Sequence, residues 1–212
     1  MRRNQTGFTL IEIAIVLVII GLLLGGVLKG QELINSAKVK NFAQDFKSVP
    51  LFIYGYQDKY KRLPGDDNGA VARFGATTID GGGNGAIAGN FNSTTLTDES
   101  VRFWQHVRMA GLAAGATDFS TVANAGLPTN ADGGRIGIQM TTPITNMTGS
   151  YFVCSDGIQG KFAKQLDVTL DDGNTATGSL QVTASGYTGT ATAAVATASI
   201  VDGTTYIVCT AF

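Results

Sequence analysis

The stretch Phe8-Thr9-Leu10-Ile11-Glu12-Ile13-Ala14-Ile15-Val16-Leu17-Val18-Ile19-Ile20-Gly21-Leu22-Leu23-Leu24-Gly25-Gly26-Val27-Leu28 decides how the rest of the chain is read. It contains a single charge, Glu12. Wound as an α-helix at about 1.5 Å per residue it is about 31 Å long, enough to cross the hydrocarbon core of a bilayer. A short, basic and polar leader, Met1-Arg2-Arg3-Asn4-Gln5-Thr6-Gly7, stands before it. A secretory signal would have a shorter apolar region closed by a small-residue cleavage site. Here the apolar run passes into more helix-forming sequence. Arg2 and Arg3 precede the span, so the positive-inside rule keeps the N-terminus cytoplasmic and sends the remainder outward.

Glu12 makes the segment more than an anchor. An ionised carboxylate at membrane depth costs about 2.5–3.5 kcal/mol on insertion scales. Either it lies near the interface and snorkels, or it meets a cation at the same depth. Cleavage after Gly7 would supply that cation, the new α-amino group of Phe8. The string Gly7-Phe8-Thr9-Leu10-Ile11-Glu12, behind a basic leader and ahead of an apolar helix, resembles the prepilin cleavage signal of type IV pilins and type II secretion pseudopilins. The resemblance is strong to the end of the helical N-terminal part and weak beyond it. It implies that a prepilin peptidase cuts between Gly7 and Phe8 and methylates Phe8. Glu12 would then pair with the N-terminal amine of a neighbouring subunit. Such a pair sets the axial stagger of helices that otherwise slide freely in an apolar bundle.

The resemblance also implies an α+β fold, a long N-terminal helix packed on a small antiparallel β-sheet. The expected organisation is a leader over 1–7, a transmembrane helix over 8–28, an amphipathic stem over 29–62 and a globular domain over 63–212. The implied partners are the inner membrane, other copies or related pilins in a helical filament, the peptidase, and a pilus or secretion assembly platform. The implied location is the bacterial inner membrane with the C-terminal domain periplasmic, or extracellular once assembled into a pilus.

Gly21, Gly25, Gly26 and Gly30 form two overlapping GxxxG patterns that let helix backbones approach closely in lipid. Each glycine also costs a helix about 1 kcal/mol relative to alanine, so this stretch is a candidate for local unwinding. Farther on, Phe42, Phe46, Val49, Ile53, Tyr56 and Tyr60 recur at helical spacing and predict one buried stripe. Pro50 predicts a kink near Val49. Leu63-Pro64-Gly65-Asp66-Asp67-Asn68-Gly69 ends the helix with turn residues. A second helix is expected from Thr97-Asp98-Glu99-Ser100, burying Val101, Trp104, Val107 and Leu112 and closing at Gly115. Residues 117–147 read as loop, and 161–170 fit a helix or a strand equally well. Residues 199–208 read as a hairpin turning at Asp202-Gly203.

Cys154 and Cys209 each sit in an apolar, strand-like stretch, and in an oxidising compartment they would form a disulfide. Hydrophobic residues are 44% of the chain and charged residues 15%, which suits a loop-rich domain with strands. The formal charge is −1, and loss of Arg2 and Arg3 leaves 13 basic against 16 acidic side chains, or −3. No nucleic-acid partner is expected from that balance. His106 is the only histidine, and no nucleophile or carboxylate is nominated to work with it, so no catalytic role is expected. The one cofactor expectation is calcium in the loop Asp80-Gly81-Gly82-Gly83-Asn84-Gly85, with Asp80 and Asn84 at EF-type positions. Asp66, Asp67, Asp98, Glu99, Asp171 or Asp172 could add oxygens; otherwise these are turn residues. The leading reading is a filament subunit. The alternative is a single-helix-anchored periplasmic adhesin or binding protein that does not polymerise, which would need neither Glu12 nor the Gly7-Phe8 junction.

Overall fold

The stripe spaced three and four residues apart becomes the inner face of a helix. In a computed structural model that describes residues 9–212, helix α1 runs over Leu10–Tyr60. Phe42, Phe46, Val49, Ile53 and Tyr56 are buried along it, and Tyr60 is half-buried. The helix continues across Pro50, which is itself buried. The chain divides into a first unit ending at Lys38 and a second, Val39–Phe212.

In the second unit α1 is followed by α2 (Ala70–Phe74), α3 (Glu99–Met109), α4 (Val122–Ala125), β1 (Ile136–Gln139), β2 (Phe152–Gln159), α5 (Gly160–Leu170), β3 (Leu180–Ala184) and β4 (Thr205–Ala211). The strands form one antiparallel sheet in the order β1-β2-β4-β3. The fold is α+β, a long N-terminal helix followed by a small four-stranded antiparallel sheet, as expected of a pilin-like chain.

Alternation along the strands gives the sheet two buried faces. Ile136, Ile138, Val153, Leu180, Val182, Tyr206 and Val208 join the stem residues, Phe103, Val107, Phe162 and Leu166 in the main core. Phe152, Cys154, Ile207 and Cys209 point to the other face, where Phe91, Ile144, Met147 and Tyr187 cover them from loops. Between Ser155 and Ile158 the register shifts, an irregularity of the β-bulge kind, with Gly157 at φ 68°. The extra residue changes the parity of β2, so that Ile158 rejoins Val153 in the main core.

Several expectations change. Residues 161–170 are helical, with Phe162, Ala163 and Leu166 inward. The region expected to be loop contains β1 and the short α4. Helix α3 stops at Met109 with Gly111 at φ 74°, before Gly115. Gly115 instead makes room for Arg108, whose guanidinium a Cβ there would strike. Asp202-Gly203 forms the expected turn, closed by Thr204 N–H on the Val201 carbonyl at 3.1 Å, but Thr197–Ser199 is a short 3-10 helix, so no strand precedes the turn and no hairpin forms. Gly160 N–H donates to the Thr204 carbonyl at 2.8 Å and Lys161 N–H to that of Asp202 at 3.3 Å. The first bond closes the Gln159–Thr205 end of the pairing between β2 and β4, and both satisfy free N–H groups of the helix start. Lys164 adds an ion pair to Asp202 at 2.6 Å.

Cys154 and Cys209 form a disulfide and face each other across β2 and β4. The bridge closes a sequence separation of 55 residues, for which chain-entropy reasoning gives about 4 kcal/mol of stabilisation. A Cys154→Ser/Cys209→Ser double variant should therefore unfold at lower denaturant concentration, losing about 2–5 kcal/mol. An unchanged midpoint would show that the ladder alone carries this part of the sheet.

Candidate functional site

At the start of α1 the sequence Thr9-Leu10-Ile11-Glu12 folds as a capping box. Thr9 N–H and Thr9 Oγ1–H donate to Glu12 Oε2 at 2.8 and 2.7 Å, and Glu12 N–H donates to Thr9 Oγ1 at 3.3 Å. Glu12 therefore has a local task, holding the first turn, in addition to the role expected from its depth in the apolar run. Gly7 and Phe8 lie outside the described residues.

Beyond the cap, every large apolar side chain from Leu10 to Leu28 is exposed, Leu10 at 88%. α1 is long and apolar enough to cross a membrane, and none of its most apolar window is buried. A Cβ added at Gly21, Gly25, Gly26 or Gly30 would meet nothing within 4 Å. All four are helical, so nothing in the single chain compensates their low helix propensity.

The turn and Gly-rich segment expected to offer calcium ligands is organised around buried carboxylates that accept from backbone N–H groups. Asp66 accepts from Asn84 and Gly85 at 2.9 and 2.7 Å. Glu99 accepts from Gly82 and Ala88 at 2.6 and 2.8 Å. Asp80 Oδ1 accepts from Val71 N–H at 2.7 Å, and Asn84 Oδ1 from Ala86 N–H at 2.9 Å. Asp67 accepts from the Tyr56 hydroxyl at 2.7 Å and pairs with Arg73. Burial alone would raise the Asp67 carboxyl; Arg73, the Tyr56 hydroxyl and Gly69 N–H together hold it below its ordinary value.

His106 belongs to this scaffold. It is buried, stacked on Tyr56 with ring centroids 6.1 Å apart. Nδ1 accepts from Gly65 N–H at 2.9 Å, which leaves Nε2 to donate to the Ile79 carbonyl at 2.8 Å. The bond accepted from Gly65 requires the neutral ring, and burial holds the imidazole below its ordinary value.

One group of side chains comes together that the linear sequence does not announce. At the end of α5, carboxylate oxygens of Asp167, Asp171 and Asp172 lie within 4.8 Å of one another. Asp167 is fully buried, and burial together with Asp172 and Asp171 pushes its carboxyl up to about 6. Asp171 and Asp172 stand next to each other and are easily noticed. Asp167 joins them only once 161–170 is known to be helical, which stacks i on i+4.

Residues 2–28 match the family model of the prokaryotic N-terminal methylation motif, which is typical of type IV pilin and pseudopilin prepilins. No curated protein matches the chain. The motif and the apolar helix together support membrane anchoring. The motif implies N-methylation, processing by a prepilin peptidase and assembly with related pilins, and points to a structural subunit rather than an enzyme.

The neutral His106 makes stability depend on pH in a defined direction. Its folded value lies below the unfolded 6.5, so its contribution is complete above pH 6.5 and is lost as the pH falls from there through the folded value. Asp67 and Asp80 favour the charged ring, while Arg102 opposes it. The melting temperature should fall between pH 7 and 5 more steeply in the wild type than in His106→Asn. Equal slopes would remove His106 from the acid response.

Proposed function

We propose that the chain is a structural subunit of a type IV pilus-like or type II secretion pseudopilus filament. A prepilin peptidase cuts it between Gly7 and Phe8 and methylates Phe8. Before assembly the subunit is stored in the inner membrane, with its N-terminus cytoplasmic and the domain that carries the disulfide periplasmic. That placement suits the disulfide, which persists in an oxidising compartment.

The observation that carries this reading is the methylation motif over residues 2–28, in which every large apolar side chain from Leu10 to Leu28 is exposed. Lipid covers such a surface in storage and neighbouring helices cover it in a filament. The four glycines suit the second state, because small residues let helices pack backbone to backbone. In the capping box Oε2 of Glu12 takes both bonds from Thr9. Among the described residues Oε1 takes no hydrogen bond, so it can receive the amine of an adjacent copy while the helix start stays intact. A charge-assisted contact of this kind in a low-dielectric bundle favours one stagger over its neighbours.

Two measurements test the proposal. Mass spectrometry of the membrane-extracted protein should find a chain beginning at methylated Phe8; intact Met1 in cells that hold the peptidase would contradict it. Glu12→Gln keeps the capping-box pattern, which accepts Gln as well as Glu, but removes the charge. It should insert normally and fail to form filaments, whereas Thr9→Val, which weakens only the cap, should still assemble. Normal filaments from Glu12→Gln would exclude the charge pair.

A further inference from the structure

The end of α5 brings three acidic side chains together, one of them buried. Asp167 is 0% exposed, and neither of its carboxylate oxygens has a hydrogen-bond partner among the described residues. Buried polar groups are nearly always satisfied, and an unsatisfied buried carboxylate is among the costliest exceptions. Asp171 lies four residues on, at the C-cap, where like charges repel and the helix dipole already presents negative potential. Asp172 completes the cluster from the solvent side. No ion pair to lysine or arginine reaches any of the three among the described residues.

We propose that Asp167, Asp171 and Asp172 form a binding site for a divalent cation, calcium by its donor set. All donors are carboxylate oxygens, the hard ligands that calcium and magnesium prefer; zinc favours nitrogen and sulfur. Calcium takes six to eight oxygens in flexible geometry, whereas magnesium keeps several of its waters and uses one or two carboxylates, so three converging carboxylates suit calcium.

The loop after α5 holds the two outer carboxylates in place. Leu180 N–H donates to Asp171 Oδ2 at 2.8 Å, and Asn174 N–H to Asp172 Oδ1 at 2.8 Å. The Thr177 hydroxyl donates to Asp172 Oδ2 at 3.1 Å. Gly178, at φ 78°, leaves room for Asp171, whose carboxylate a Cβ there would strike. Both oxygens of Asp167 and Oδ1 of Asp171 carry no such bond. Asp172 is exposed, so water completes the shell from its side. A bound ion would fasten the end of α5 to the segment that leads into β3. The site is separate from the Asp80–Asn84 loop, where Asp80 Oδ1 and Asn84 Oδ1 already accept backbone N–H groups.

The test uses the full-length protein in detergent micelles, with melting followed by the fluorescence of Trp104, the only tryptophan. Calcium chloride at a hundred times its dissociation constant should raise the melting temperature above that in EDTA by about 5–10 °C, with a smaller rise in magnesium. Asp172→Asn, an exposed change, should melt normally in EDTA and lose most of the calcium shift. Asp80→Asn should keep it. No calcium shift in the wild type, or a full shift in Asp172→Asn, would overturn the site. A shift lost in Asp80→Asn but kept in Asp172→Asn would move the ion to the glycine-rich loop.

Discussion

The constraint on which the rest depends is that the apolar surface of α1 from Leu10 to Leu28 is buried by nothing among the described residues. Apolar surface exposed over this length is not tolerated in water. Some other phase must cover it, and lipid or sister helices are the two that a helix of this composition fits. In the proposed filament, Glu12 and the four glycines would decide between indifferent packing and a defined arrangement. The glycines weaken the helix without serving any contact in the single chain. The carboxylate needs a cation only in a setting that water does not reach.

In the second unit the organising principle is different. Here buried acids do the work that a larger sheet or more helices would do in another protein. Asp66, Asp67 and Glu99 lie inside the turn and glycine-rich segment and collect its backbone donors, and His106 ties Gly65 to Ile79. Each bond answers a backbone group that an irregular segment would otherwise leave unpaired. Glycine is needed where the chain comes close: a Cβ on Gly81 would collide with the backbone of Gly65 and Asp66. The same segment could be read as a cation loop because acids and glycines serve both purposes. In the structure its acids accept backbone N–H groups, a use invisible in a string of letters.

Much of the architecture was legible from periodicity. The stripe from Phe42 to Tyr56 is the inner face of α1, and the pair of apolar stretches around Cys154 and Cys209 are adjacent strands. What was not legible depended on contacts remote in sequence. Residues 199–204 carry strand-like residues but are drawn to the start of α5. β1 is four residues long, too short to show alternation, and residues 161–170 satisfy both periods. That last ambiguity concealed Asp167, and with it the acidic cluster. The local role of Glu12 was present in the Thr9–Glu12 spacing, but it is overshadowed by the charge's position in an apolar run.

Were the chain drawn into a filament as proposed, it would carry load, and the placement of the disulfide bears on how it would respond. Strand β4 is an inner strand of the sheet, and the Phe212 backbone is bonded to Tyr151 beside β2. The covalent clasp between Cys154 and Cys209 removes the segment between them, a sequence separation of 55, from the length that traction could draw out. At about 3.4 Å per extended residue that is close to 190 Å of contour length withheld. The sheet would act as a knot in the rope, and any give would have to come from the part of the chain ahead of Cys154.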